Sequence, residues 1–230
     1  MKILILVCAS ILFFLLSTLL RKWRNIPVLI AVSIACAVNT NYSIGYDYPI
    51  ECGSALIFGI DSLVAVLYLY ILIVMCLDIE TKRAYKLSFS SVAAIVLAGI
   101  IESSAKVASH GGFTMEGIRP LLFSLISGAA CLFAGYLAIF VADKLKNKAN
   151  LNDYAAMTIA LVAGFVVHAV IFFVGFMVKY PNLFDDVNKY GACFFGSLVE
   201  RATLVPLALL TYLFSNCVLK LKIKSKNKDF

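Results

Sequence analysis

Glu200 and Arg201 stand side by side inside Tyr190–Leu219, a stretch that is otherwise almost wholly apolar and long enough to cross a bilayer. A central Arg or Asp in a membrane helix costs about 2.5–3.5 kcal/mol on the insertion scale, so such residues face a bundle interior or a wet cavity. Three more ionisable side chains occupy apolar segments in the same way: Asp61, Glu102 and His168. Carboxylates accept, a guanidinium donates in a planar fork, and an imidazole does either, so this set has the chemistry to hold a small polar solute. Adjacent helical residues diverge by about 100°, so Glu200 and Arg201 are expected to seek different partners.

The rest of the chain must position these groups. With 62% hydrophobic residues, 14% charged residues and mean hydropathy +0.95, the 230-residue chain reads as one integral membrane domain. The expected fold is all-α, a polytopic bundle of six to seven transmembrane helices. The spans read as residues 3–20, 26–42, 54–77, 87–109, 120–142, 154–178 and 190–219, with 220–230 as a basic tail. The second is the weakest, because Asn39, Thr40 and Asn41 interrupt it. The first carries its larger charge, Arg21, Lys22 and Arg24, after the apolar run, which favours an uncleaved anchor over a cleaved leader.

The net charge of +7 falls in short clusters between apolar runs, which speaks for membrane topology and against nucleic-acid binding. With seven spans and the N-terminus outside, fourteen Lys and Arg lie on the cytoplasmic side against five outside. That orientation puts the C-terminal lysines in the cytoplasm of a cell membrane (the inner membrane, where there are two), where the tail attracts anionic lipid. It also places Asp61, Glu102, Glu200 and Arg201 in the outer half of the bilayer, with His168 near its middle.

Two readings stand for this constellation. The five residues line an outward-facing polar pocket, or they are interhelical glue, with Asp61 and Arg201 as a static pair and Glu102 bonded locally to Lys106 at i, i+4. Close helix packing is expected at Ala31-x-x-x-Ala35, Ala94-x-x-x-Ala98 and Ser124-x-x-x-Gly128. Pro206 is expected to kink the last span below the charged pair. The seven cysteines are odd in number and form no CxxC pair, so they read as small hydrophobes and imply no metal or cofactor. No P-loop pattern is present, so ATP hydrolysis would need another chain. Ser197 with His168, and Glu200-Arg201, are only fragments of intramembrane protease motifs, and the chain is not expected to be an enzyme.

Four stretches together carry a resemblance: Phe58-Gly59-Ile60-Asp61-Ser62-Leu63-Val64; Ser127-Gly128 through Ala134-Gly135-Tyr136 to Ala142-Asp143-Lys144-Leu145-Lys146; Ala163-Gly164-Phe165-Val166-Val167-His168; and Gly196-Ser197-Leu198-Val199-Glu200-Arg201. Over about Ser54 to Leu219 the chain resembles the VUT family of queuosine-precursor transporters and, more distantly, the S components of energy-coupling-factor (ECF) vitamin transporters. The family tends to carry an acidic residue near His168 and a lysine near Arg201; these departures leave the substrate open. The resemblance implies about six core helices with the first span as an addition, and a small polar heterocycle bound near the outer face. It implies a carrier working alone or, in the ECF case, one energised by a membrane subunit with ATPases. A membrane sensor or accessory subunit with purely structural buried charges is the competing class.

Overall fold

A computed structural model of the protein describes residues 11–12, 50–52, 55–57, 59–109, 112–179 and 187–217. The expected spans 3–20 and 26–42, apart from Ile11 and Leu12, lie outside the described residues, as does the basic tail. The described chain runs through a short antiparallel hairpin, β1 (Ile50–Cys52) and β2 (Ala55–Ile57), into five helices. These are α1 (Gly59–Asp78), α2 (Thr81–Ser109), α3 (Met115–Asn147), α4 (Asp153–Lys179) and α5 (Val187–Cys217). Within the described residues, α2 to α5 contain the four helices long and apolar enough to cross a membrane, and α1 adds a shorter apolar helix over Ser62–Asp78. The protein is therefore helical and fit for a membrane.

The third expected span begins differently from its apolar run. Ala55–Ile57 pairs as a strand with Ile50–Cys52, and the helix starts only at Gly59. The other described spans are longer than their apolar runs. In α3, Thr114 caps the helix by accepting from the Gly117 N–H, six residues ahead of Pro120, which was expected to start the span. Proline within a helix cannot donate to the preceding turn. Next to it, the Leu121 N–H donates to Ser103 Oγ on α2, at 2.9 Å. That bond is a polar tie between α2 and α3.

The central element is α1. From Ser62 to Leu77 no side chain is more than 9% exposed, and α2, α3, α4 and α5 all contact it. A helix that is apolar on every side has no preferred face, and encirclement is the arrangement that buries all of it. Leu67, Leu69, Ile71, Leu72 and Ile73 form the middle of the hydrophobic core.

Small residues bring α2 and α3 together. The buried face of α2 is Ala84, Ser88, Ser91, Ile95, Gly99 and Ser103, spaced at three and four residues. A methyl group on Gly99 would run into the Ser124 side chain, and one on Gly135 would meet Ser88 Oγ at 2.8 Å and Tyr68 OH at 3.1 Å. The expected packing face at Ser124 and Gly128 is present, whereas Ala94 is exposed and the stripe on α2 is the serine–glycine one.

Candidate functional site

The three ionisable residues expected on the last two spans are all buried: His168 is 4% exposed, Glu200 5% and Arg201 1%. Arg201 Nη1 donates to Ser197 Oγ, one turn back on α5, and lies 3.4 Å from the Ser197 carbonyl oxygen. Serine four residues before arginine points the same way on a helix, so the side chain folds back along its own axis. That supplies acceptors for Nη1 of a guanidinium that has left water, where a charge is kept only if it is hydrogen-bonded or paired.

His168 is set by α3 and α4. Its Nε2 lies 3.7 Å from Cys131 Sγ, and its ring centroid lies 5.3 Å from that of Phe172. Phe172 in turn meets Phe123 edge-on at 5.9 Å. The imidazole Nδ1 and the Ser62 Oγ of α1 are both buried with no hydrogen-bond partner among the described residues. Buried polar atoms left in this way are uncommon in folded proteins, where most have a protein or water partner.

Ring contacts establish the depth of these groups. Phe173 meets Phe194 at 5.0 Å and Tyr154 meets Tyr212 at 5.5 Å, so α4 and α5 run antiparallel in one constant register. In that register His168 is level with Leu198 and Val199, about one residue from Glu200, or roughly 1.5 Å of rise. Gly164 packs against Leu69 of α1, which brings the same level to the first half of α1, close to Ser62. Buried Ser124 and Ser127 of α3 lie one to two turns beyond Cys131. A polar layer therefore surrounds the first half of the central helix, and it includes His168, Glu200 and Arg201.

Glu102 stands apart from this layer, and Asp61 lies at its edge. Glu102 forms an ion pair with Lys106 on its own helix at 3.1 Å, with its side chain 17% exposed. Gly128 packs against Val92 and Val96, so Cys131 is level with the Ser91–Val92 region of α2, and Glu102 lies about 16 Å further along at 1.5 Å per residue. Asp61 is in the first turn of α1, about one turn beyond the level of His168, and its side chain lies outside the described residues.

A second polar cluster, absent from the sequence reading, ties the opposite end of α1 to its neighbours. Lys146 Nζ donates to the Leu77 carbonyl at 2.9 Å and pairs with Asp153 Oδ1 at 3.0 Å. Tyr212 OH lies 3.4 Å from Asp153 Oδ2 and 3.3 Å from Asp78 Oδ1. Thr81 Oγ1 donates to Asp143 Oδ1 at 2.7 Å, and Asn147 donates to the same oxygen at 2.8 Å. A lysine at the C-terminal carbonyls of α1 sits at the negative end of the helix dipole. The one signal for this clasp was the density of short polar and charged residues around two tight helix connections.

The chemistry available in the upper layer is hydrogen bonding and charge. Arginine offers up to five donors, glutamate accepts, and histidine can do both. Ser197 Oγ is engaged by Arg201 and His168 Nε2 by Cys131, so each of these side chains has a neighbour other than the one a Ser–His pair would require. No protein-family model matches the chain, and no curated protein or solved structure does so either.

Proposed function

We propose that this chain is a membrane carrier, or a solute-binding membrane subunit, that takes up a small polar heterocycle of the queuosine-precursor or vitamin-like kind. The solute is held beside the first half of α1 by His168, Glu200 and Arg201, with Asp61 and Glu102 nearer the entrance. One observation carries the reading: three ionisable side chains on two helices, His168, Glu200 and Arg201, are buried at nearly one depth, and among the described residues His168 Nδ1 and Ser62 Oγ are buried without a hydrogen-bond partner. Holding charges there costs stability, and such residues in membrane helices mark substrate or ion pathways. The resemblance to VUT carriers and ECF S components, with an outward-facing pocket in a cell membrane, belongs to the same proposal. So do the N-terminus outside, the cytoplasmic tail and a possible energising subunit.

The competing reading is a sensor or accessory subunit whose buried charges only join helices. The contact of Arg201 with Ser197 of its own helix favours it, because the arginine is then served without a solute. Thermal unfolding of detergent-purified protein against a panel of nucleobase-like and vitamin-like solutes separates the two. A solute that binds only the folded state, at a hundred times its dissociation constant, adds about 2.7 kcal/mol of stability. A carrier shows that gain in the wild type and loses it in Arg201→Ala and His168→Ala. No gain with any solute, together with strong destabilisation of Arg201→Ala itself, selects the accessory reading.

A further inference from the structure

α2 and α3 lie antiparallel, and near the α1–α2 turn their outward sides change character in step. Phe89 on α2 and Phe133 on α3 are level with each other and 61% and 60% exposed. One turn nearer the end, the rings of Tyr85 and Tyr136 meet at 4.8 Å. Beyond them lies Phe140, 51% exposed, with Lys144 Nζ 5.3 Å from its ring centroid. Lys82 and Lys86, both exposed, stand across from Tyr136 and Phe140 on α2.

These residues form two continuous stripes. Lys82, Tyr85, Lys86 and Phe89 recur at three and four residues on α2, and Phe133, Tyr136, Phe140 and Lys144 do so on α3. Side by side they grade from phenylalanine through a tyrosine pair to three lysines. The lysines have no carboxylate partner among the described residues, whereas neighbouring Arg83 is paired with Glu80 at 3.4 Å. Lys86 sits about 6 Å deeper than Lys82 along the helix, a depth from which a lysine reaches the interface by extending its apolar stem.

We infer that the α2–α3 face is a binding site for an anionic phospholipid. Acyl chains lie along Phe89 and Phe133, the tyrosine pair sits at the glycerol level, and the phosphate is held by Lys82, Lys86 and Lys144. Aromatic rings with one polar end favour that interfacial level, and unpaired lysines there attract anionic headgroups. The site is distinct from the polar layer at the other half of α1 and does not depend on what binds there.

Native mass spectrometry of the full chain, titrated with phosphatidylglycerol and phosphatidylcholine, tests it. The wild type retains phosphatidylglycerol in preference, and the Lys82→Gln, Lys86→Gln, Lys144→Gln triple variant loses that preference by about tenfold or more. The corresponding triple arginine variant keeps it, as does a variant with the five tail lysines replaced by glutamine. Should the glutamine triple fail to insert, Lys86→Gln and Lys144→Gln singly each lower retention by about threefold. Equal retention of both lipids by the wild type overturns the site, as does wild-type preference in the glutamine variants. Loss of preference in the tail variant alone, or displacement of the lipid by excess inorganic phosphate, also overturns it.

Discussion

At the scale of single residues, the buried hydrogen bonds of Arg201 and Tyr68 define what the polar groups inside this bundle do. Arg201 is served by Ser197 on its own helix, so removing the serine hydroxyl withdraws an acceptor from a buried cation. A hydrogen bond to a charged group contributes about 1.5–3 kcal/mol. Ser197→Ala is therefore expected to lower stability by about 2 kcal/mol in reversible detergent unfolding; an unchanged unfolding midpoint would show that Arg201 draws its acceptors elsewhere. Tyr68 OH and Ser88 Oγ, 2.8 Å apart, join α1 to α2 by a neutral bond. Tyr68→Phe is expected to cost about 1 kcal/mol, and adding Ser88→Ala to it should cost little more, because the partner is already lost. The candidates Glu200, Arg201 and His168 were legible as residues, since ionisable groups in apolar runs are conspicuous. The partners they engage were not: Ser197 stood out only as half of a Ser–His fragment and Cys131 only as a small hydrophobe, because serine and cysteine are ordinary inside membrane helices and signal a role only through what they face.

At the scale of elements, glycine and serine decide how closely helices approach. Gly99 leaves room for Ser124, and Gly135 leaves room for the Tyr68–Ser88 bond. Overpacking a close contact costs about 1–3 kcal/mol. Gly99→Val is accordingly expected to destabilise by that amount and Ala94→Val, at an exposed position, by far less; equal effects in a paired unfolding experiment would contradict the packing of α2 on α3. The helical spans themselves were readable from hydropathy, and their ends less so. The α3 helix starts at Met115 because Thr114 can cap it, although the apolar run begins later. Ala55–Ile57 is apolar and contiguous with the span, yet it pairs as a strand because Ile50–Cys52 is there to receive it.

For the whole molecule, the network around Lys146 joins the end of α1 to α3, α4 and α5. Its members come from segments separated along the chain, so their effects on stability should be coupled rather than additive. A double-mutant cycle of Lys146→Met and Asp153→Asn is expected to give a coupling energy of about 0.5–3 kcal/mol; a value near zero would mean that the pair is not maintained in solution. Encirclement of α1 makes a further claim about lipid exposure. A spin label at Phe133 should collide freely with oxygen dissolved in the bilayer, whereas a label at Leu67 should be shielded or should prevent folding. Equal oxygen accessibility at the two positions would rule out a central α1.

Composition and hydropathy by themselves marked a chain of helices long and apolar enough to cross a membrane, because a run of about twenty apolar residues is what a bilayer core requires of a spanning helix. They also singled out the ionisable residues, because each carries a cost that the segment around it does not explain. Which helix is central was not determined there. α1 and α4 are both strongly apolar, and only the packing of four neighbours around α1 distinguishes a core helix from one that also faces lipid. The tertiary structure likewise separated Glu102, paired locally with Lys106, from the layer of His168, Glu200 and Arg201. Depth along a single helix follows from sequence and the rise per residue; the register between helices depends on which side chains interlock, and that is decided only when the bundle closes.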